Sequence, residues 1–566
     1  MDLDALRHSA AHVLASAIKE LYPKAKFAIG PSIKDGFYYD FDNLDVTEED
    51  LVKIEKKMHE IINKKLDFKK VLLSRKDALK LLKDQPYKLE LLKDILGEKV
   101  QFYQHGDYFD LCKGGHLKNT AEIKAFKLLK IAKAYWRGNS KNKQLTRIYG
   151  TAWNSEQDLK SYVNRLEEAE KRDHRKLGKE LELFFFNEIS PGAVFWLPNG
   201  MIIFKELEKY WREIHEDQDY LEISTPIVVK EDLFKQSGHL EHYKENMFKL
   251  TSEKEDYYLK PMNCPEATIV YSSKLRSYRD LPLRLSEIGR LHRNEISGAL
   301  GGMFRVRQLT MDDAHIFCTQ EQIQEEITKV LSLVNRFYSM FEFTPSFYLA
   351  TKPDKAMGER KLWDIAEKSL ENALKANKIK YEIKKKDGSF YGPKIDIHIK
   401  DAIGRDWQLA TIQLDFQMPE RFNLTYEGQD GKKHKPVMIH RAIFGSFERF
   451  IGILTEHFAG KFPLWLSPLQ VILLTINENN IKFAKEVFTE LKNNKIRVEL
   501  DDRNESIPKK VREAQLRKIS TMITIGDKEQ QNKTLAVRTL DGKVEFNVKV
   551  QNFINKLIKK INNKEL

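Results

Sequence analysis

The sequence predicts a multidomain α+β protein organised around one large antiparallel sheet. Three observations carry this expectation. The chain has 566 residues, too many for one hydrophobic core and enough for three or four domains. Its middle contains alternating runs such as DGSFYGPKIDIHIKD, DWQLATIQLDF and MIHRAIFGSFERFIGILTEHF, set among helical patterns. Near the C-terminus, VILLTI, RVELD, MITIG and TLAVRT are short apolar strands, with helical patterns near 481–492 and 507–518, as in a compact α/β domain.

Composition limits the function classes. Hydrophobic residues make up 41% and charged residues 32%, which suits a soluble protein with adequate cores. The formal net charge is +13 and is spread along the chain. A polyanionic partner such as RNA or DNA would account for it, and so would a Lys-rich composition with no partner. No apolar run of about 18 residues exists, so no membrane span is expected. The N-terminus, MDLDALRHSAAHVL, lacks the basic-then-apolar order of a secretory signal. Three cysteines cannot build a disulfide framework in this length, which points to a cytoplasmic protein with free thiols.

In the N-terminal region, 1–155, Asp4 is expected to cap a helix with an apolar stripe of Leu6, Ala10, Val13, Leu14, Ala17 and Leu21. His8 and His12 fall opposite that stripe, one turn apart among small neighbours, which suggests a pocket wall. The segment FDLCKGGHL repeats the spacing with Cys112 and His116, just after Asp110. Two histidines and Cys-x-x-x-His can complete a tetrahedral zinc site, or line a metal-free hydrolytic pocket where imidazoles move protons. GPSIKDGFYYDFD reads as turn then strand, and PYKLELLKD offers Lys88. The close of the region interleaves Tyr135, Trp136, Arg137, Arg147 and Tyr149, either to stack unpaired nucleotides or to pack a domain edge. The charged stretch 156–180 reads as a solvated connecting helix without chemistry.

The central region, 181–462, opens with a helix near Gly200 and a strand, LEISTPIVV. Pro226 within that strand predicts an edge or bulge, because proline donates no ladder hydrogen bond. FKQSGHLEHYKENMF is expected to be a mobile loop, and YYLKPMNCPEAT a strand carrying Cys264. In RLHRNEISGALGGMFRVRQLTMDDAHIF, alternation puts Arg305, Arg307, Met311, Asp313 and His315 on one face. Cys264, His315 and His440 are isolated ligand-type residues at or near strand ends. If they meet, three protein ligands leave a fourth zinc position open.

FRVRQLTMDDAHIF, with PMNCP before it and MIHRAIFGSFERFIGILTEHFAGKFPLWLSP after it, closely resembles threonyl-tRNA synthetases. RHSAAHVL, GFYYDFD and FDLCKGGH resemble the editing domain of that family. The similarity runs in order from about residue 1 to 560, which is far more specific than a short pattern. It implies a class II synthetase core at 181–462, an N-terminal α+β editing domain at 1–155, a linker at 156–180 and a C-terminal α/β anticodon-binding domain at 463–566.

The resemblance also implies roles. Zinc, one per subunit, is expected on Cys264, His315 and His440, where in the family it binds the threonine amino and hydroxyl groups. Met262, Asp313, Tyr391 and Gln413 are expected to line the amino-acid pocket. Arg293, Glu295, Arg305, Gln408, Ser446 and Arg449 are expected around ATP, with magnesium, and threonyl-adenylate forms there before transfer to threonine tRNA. His8, His12, Tyr39, Lys88, Asp110, Cys112 and His116 are expected in an editing site that hydrolyses seryl-tRNA, generally metal-free in this family. Asn504, Arg512, Glu529 and Arg538 are expected at the anticodon. Pro226 matches the first class motif, which implies a homodimer.

Two departures stand out. The family usually has Gln where this chain has Met311. Many members also carry a small domain before the editing domain, and this sequence starts directly at the editing helix. A catalytically dead RNA-binding regulator and a hydrolase of mischarged tRNA are the competing readings. The retained motif arginines and zinc positions oppose both.

Overall fold

The structure, a computed structural model, describes residues 2–566. It divides into two compact units, one ending at Glu168 and one running from Ala169 to Leu566. In the first, α1 (Leu3–Leu21) is capped by Asp2, whose carboxylate accepts from the Asp4 amide, so the cap lies two residues before the expected Asp4. The helix is buried on nearly all sides, with Ala11, Ala15 and His12 as enclosed as Leu6 and Val13. Of the two histidines opposite the apolar stripe, His12 is buried and His8 half-buried.

In order follow β1 (Gly36–Asp42), α2 (Asp50–Asn63), β2 (Lys69–Ser74), α3 (Pro86–Lys93), β3 (Lys99–His105), β4 (Tyr108–Leu111), β5 (Ala125–Tyr135) and β6 (Gln144–Trp153). Strands β1, β6 and β5 lie side by side in an antiparallel sheet, and β2, β3 and β4 form another. Phe37, Tyr39 and Phe41 alternate inward from β1, as a strand with one buried face requires. The aromatic–basic segment is largely a packed edge. The Trp136 indole donates to Glu90 at 3.0 Å, and Arg147 pairs with Asp40 over the Tyr38 ring.

The stretch 156–180 is two helices, α4 (Glu156–Lys171) and α5 (His174–Glu180), broken where Asp173 caps α5 by accepting from the Arg175 amide. The second helix is not solvated, since His174, Leu177 and Gly178 are buried.

The second unit continues with α6 (Pro198–Glu216), β7 (Leu221–Glu222) and β8 (Val228–Lys230). Pro226 splits the expected single strand, and its halves join different sheets. The expected mobile loop is helical, with α7 (Glu231–Ser237) and α8 (His239–His242) separated by Gly238 at φ +83°. After β9 (Glu255–Leu259), Cys264 opens α9 (Cys264–Ser272) instead of ending a strand, because Pro265 suits a first helical turn.

The large sheet is built from β7, β10 (Leu283–His292), β11 (Gln308–Cys318), β12 (Ser346–Ala350), β13 (Tyr381–Lys384), β14 (Lys394–Lys400), β15 (Asp406–Asp415) and β16 (Val437–Ser446). Its spatial order is β7-β10-β11-β16-β15-β14-β12-β13, antiparallel except at its two outermost pairs. Helices α10 (Ile323–Ser339), α11 (Arg360–Ala376) and α12 (Phe447–His457) cover one face. Phe337, Phe444 and Phe450 meet there, each fully buried and worth about 1.5–3 kcal/mol of transfer free energy. Arg305 and Arg307 precede β11, so only Met311, Asp313 and His315 share its face.

The C-terminal part has β17 (Val471–Thr475), α13 (Ile481–Asn493), β18 (Val498–Asp501), α14 (Ile507–Leu516), β19 (Thr521–Ile525), β20 (Thr534–Thr539), β21 (Val544–Lys549) and α15 (Val550–Asn562). Its mixed sheet runs β18-β17-β19-β20-β21. Among the described residues no helix is long and apolar enough to cross a membrane.

Candidate functional site

The face of the large sheet opposite α10, α11 and α12 carries a pocket of about 400 Å³. Arg293, Glu295, Arg305, Gln408, Ser446 and Arg449 all line it, with Met311, Gln413 and Phe304. Arg449 is half-buried with its Nε unpartnered, and that burial, then Arg305, lowers its pKa. A buried guanidinium nitrogen without a partner is costly unless an acceptor arrives. Glu295 is held by Arg305 at 2.8 Å, while Arg307 reaches away to the Glu295 carbonyl. Ser446 is the N-cap of α12, accepting from the Arg449 amide at 3.2 Å.

Cys264, His315 and His440 converge, with one ligand atom from each within 4.8 Å of the others. His315 and His440 are direct partners across β11 and β16, and Cys264 arrives at the start of α9. His440 presents Nε2 to Asp415 at 2.9 Å, while its Nδ1 is buried without a partner. A carboxylate behind one imidazole nitrogen fixes the tautomer and leaves the other free for a metal, so this donor set fits zinc. Asp415 is itself held by the Gln417 and Met418 amides. Sequence reasoning missed Asp415, although it follows Gln413 by two residues on the same strand.

Around the triad, Asp313 accepts from the Asn263 amide group at 2.7 Å. The Tyr391 hydroxyl donates to Gln413, and its ring centre lies 4.9 Å from that of His440. The Met262 sulfur is 3.4 Å from Nε2 of His239. That histidine is fully buried and was hidden in the expected loop. Asp312, the neighbour of Asp313, points the other way. Its carboxylate accepts from the amides of Ile443, Phe444 and Gly445 where the β11–β16 register shifts, with Gly445 at φ +77°.

In the N-terminal unit, Cys112 Sγ lies 3.4 Å from His8 Nε2 and 3.2 Å from His116 Nε2. With His12 these ligand-type atoms all fall within 4.8 Å of one another. Asp110 gathers Lys88, the Tyr39 hydroxyl at 2.7 Å and His12 at 3.6 Å. All seven residues named for this pocket therefore form one cluster. Tyr108 and His105 join it unannounced, Tyr108 bonding Asp110 at 3.2 Å. Burial pushes His116 down to about 3 and lowers His8 and His12, while it raises the Cys112 thiol to about 11. The cluster thus holds neutral imidazoles and a thiol at neutral pH.

In the C-terminal part, Asn504 and Arg512 are exposed, and Arg538 lies on β20 with its guanidinium on the Gly542 carbonyl. Glu529 caps the start of the short helix Asp527–Asn532 by accepting from the Gly526 amide at 3.0 Å. Arg503 and Arg517 are instead tied to Asp501, Glu513 and Glu499.

Comparison with known proteins agrees with this architecture. Residues 248–458 match the tRNA synthetase class II core domain (G, H, P, S and T). Residues 470–560 match the anticodon-binding domain, and 100–149 the threonyl and alanyl tRNA synthetase second additional domain. The threonine–tRNA ligase of Acetivibrio thermocellus is 52% identical over 566 residues, covering 99% of this chain and 89% of its own. The chain belongs to the threonine–tRNA ligases. The enzyme of Clostridium novyi is 55% identical over 94% of this chain and 85% of its own. A solved RNA-binding domain of threonyl-tRNA synthetase from Cryptosporidium parvum Iowa II is 43% identical. It superposes with a TM-score of 0.65 over 69% of this chain and 98% of its own. This threonine–tRNA ligase therefore charges tRNA on a class II core, with an additional domain of the editing type and an anticodon-binding domain.

Proposed function

We propose that this threonine–tRNA ligase recognises threonine through zinc and removes mischarged serine in its N-terminal domain. The observation that carries the zinc reading is the convergence of Cys264, His315 and His440 around the unpartnered Nδ1 of His440. When bound, zinc supplies a Lewis acid for the amino and hydroxyl groups of threonine, and valine has no hydroxyl to offer. Purified protein is expected to carry one zinc per chain by elemental analysis, and His440→Ala to carry none. Equal zinc in both would remove the site.

The remaining steps belong to side chains. Asp313 accepts from the threonine hydroxyl, and Tyr391, Gln413 and Met262 shape the pocket. ATP enters with magnesium. Arg293 and Arg449 neutralise its phosphates while the threonine carboxylate attacks the α-phosphorus, and pyrophosphate leaves. This chemistry requires positioning and charge more than a protein nucleophile. Glu295 accepts from the adenine amino group once Arg305, 57% exposed and free to turn, swings to a phosphate. Gln408 and Ser446 complete the wall. Met311 offers no hydrogen bond where the family usually has Gln, so the threonine side of the pocket has one polar contact fewer.

Serine retains the hydroxyl and is smaller, so a pocket of this kind rejects it by only about 10²-fold and a second site has work to do. In that site a neutral imidazole of the His8, His12 and His116 group takes a proton from water as it attacks the seryl ester. Lys88 and Asp110 hold the cluster together, with Tyr39 behind them. Cys112→Ala is expected to leave threonylation within about twofold of the parent while seryl-tRNA accumulates. Unchanged hydrolysis of seryl-tRNA by that variant would remove the editing assignment.

Asn504, Arg512, Glu529 and Arg538 are proposed for anticodon bases, supported by their position in the matched anticodon-binding domain. The domain limits 1–155, 156–180, 181–462 and 463–566 are proposed on the same basis. A homodimer is proposed through the Pro226 segment, where Leu221, Ile227 and Val228 are exposed apolar side chains close in sequence. Cytoplasmic location is proposed from the three unpaired cysteines.

A further inference from the structure

The start of α5 holds a histidine that the synthetic chemistry does not use. His174 is 3% exposed. Its backbone amide and its Nδ1 both reach Oε1 of Glu456, at 2.9 and 2.6 Å. With a carboxylate at Nδ1, the proton sits there and Nε2 is left as an acceptor. Nε2 takes the backbone N–H of Met303 at 3.0 Å. Glu456 lies on α12, two turns after Arg449, and its other oxygen binds Arg405. Met303 lies in the loop between β10 and β11 that carries Arg293, Glu295 and Arg305.

The residues that follow Met303, Phe304 and Arg305, line the pocket. The Phe304 ring is packed 4.2 Å from His174 and 4.5 Å from Trp407, and Trp407 lies 5.6 Å under the Arg449 guanidinium. Gly302 has φ +57°, and a Cβ there would fall 2.2 Å from Nε2 of His174. The loop backbone therefore approaches the histidine as closely as a glycine permits.

We propose that His174 is a positioning residue for ATP. It latches the nucleotide loop, through the Met303 amide, to the helix that bears Arg449. The stretch that reads as a featureless connector thereby sets the spacing of the phosphate-binding arginines. The inference rests on the reading of the 400 Å³ pocket as the ATP site.

Two conservative variants separate the latch from a purely structural role. Gln places an acceptor oxygen near the position of Nε2 and keeps the Met303 bond, whereas Asn keeps a donor near the position of Nδ1 for Glu456 and loses Met303. In ATP–pyrophosphate exchange, His174→Asn and His174→Ala are expected to raise the KM for ATP about tenfold, as loss of one partner of a buried amide implies. His174→Gln should stay within about threefold, and the KM for threonine should not move in any of them. A normal KM for ATP in His174→Asn, with His174→Gln impaired, would overturn the latch and leave only a support for α5. Should the histidine variants fail to fold, Gly302→Ala carries the test. It is expected to raise the KM for ATP without moving that for threonine, and an unchanged KM would overturn the proposal. Arg449→Ala measured alongside distinguishes the underlying reading. If it too leaves ATP use intact, the pocket assignment fails. If it alone is impaired, only the latch fails.

Discussion

Cys264→Ala is expected to lower threonine-dependent ATP–pyrophosphate exchange by at least about 10³-fold, the scale lost when a site built around a polar partner is left without it. The folded state should survive, because Cys264 is a small side chain at the first turn of α9 and not part of the main core. The residual activity should no longer distinguish threonine from valine. Asp415→Asn is the graded companion, with zinc affinity falling about 10–100-fold as His440 loses the carboxylate that fixes its ring. Equal activity of parent and Cys264→Ala on threonine, with valine still rejected, would contradict the zinc reading. The measurement is exchange with each amino acid in turn, beside zinc content.

Arg449→Ala is the second large effect. Its side chain is half-buried, with a buried unpaired Nε, and lines the pocket shared with Arg293 and Arg305. Removing one preorganised donor from a transition state of this kind costs about 10²–10³ in kcat. The loss should appear in kcat for adenylate formation, read in a single turnover, with threonine binding unaffected. Stability should change little, since the variant removes a half-buried guanidinium whose Nε has no hydrogen-bond partner. A variant with parent kcat would mean that the cavity does not hold the phosphates.

Much of this site was legible in the sequence, but by two different routes. Ligand chemistry alone singled out Cys264, His315 and His440, and the family resemblance joined them. Their meeting depends on the register that sets His315 opposite His440, which no period-two pattern contains. Alternation correctly grouped Met311, Asp313 and His315, and failed for Arg305 and Arg307 because the strand begins only at Gln308. Cys264 reads as a strand residue because it follows YYLK closely, whereas Pro265 is the local signal for the helix that starts there. The segment around His239 reads as a loop because its helices are short and broken at Gly238.

The residues missed altogether act at second hand. Asp415 orients His440, Asp312 fills the irregularity in β16, and His174 holds Met303. Each serves a partner distant in sequence, 25 residues away for Asp415, 129 for His174 and 133 for Asp312. Such roles leave no local pattern, and a charged run such as 156–180 conceals them further. The N-terminal cluster was the easier case. Its helix places His8 and His12 one turn apart, and the four-residue spacing recurs in Cys112 and His116.

Selection of threonine by zinc on Cys264, His315 and His440 is tested most directly by threonine-dependent ATP–pyrophosphate exchange on one preparation. Exchange is followed before chelation, after chelation, and after zinc is returned, with magnesium present throughout. Full exchange, loss to background, and recovery at one zinc per chain are the expected results in turn. Exchange that persists undiminished in metal-stripped enzyme would contradict a zinc-based selection.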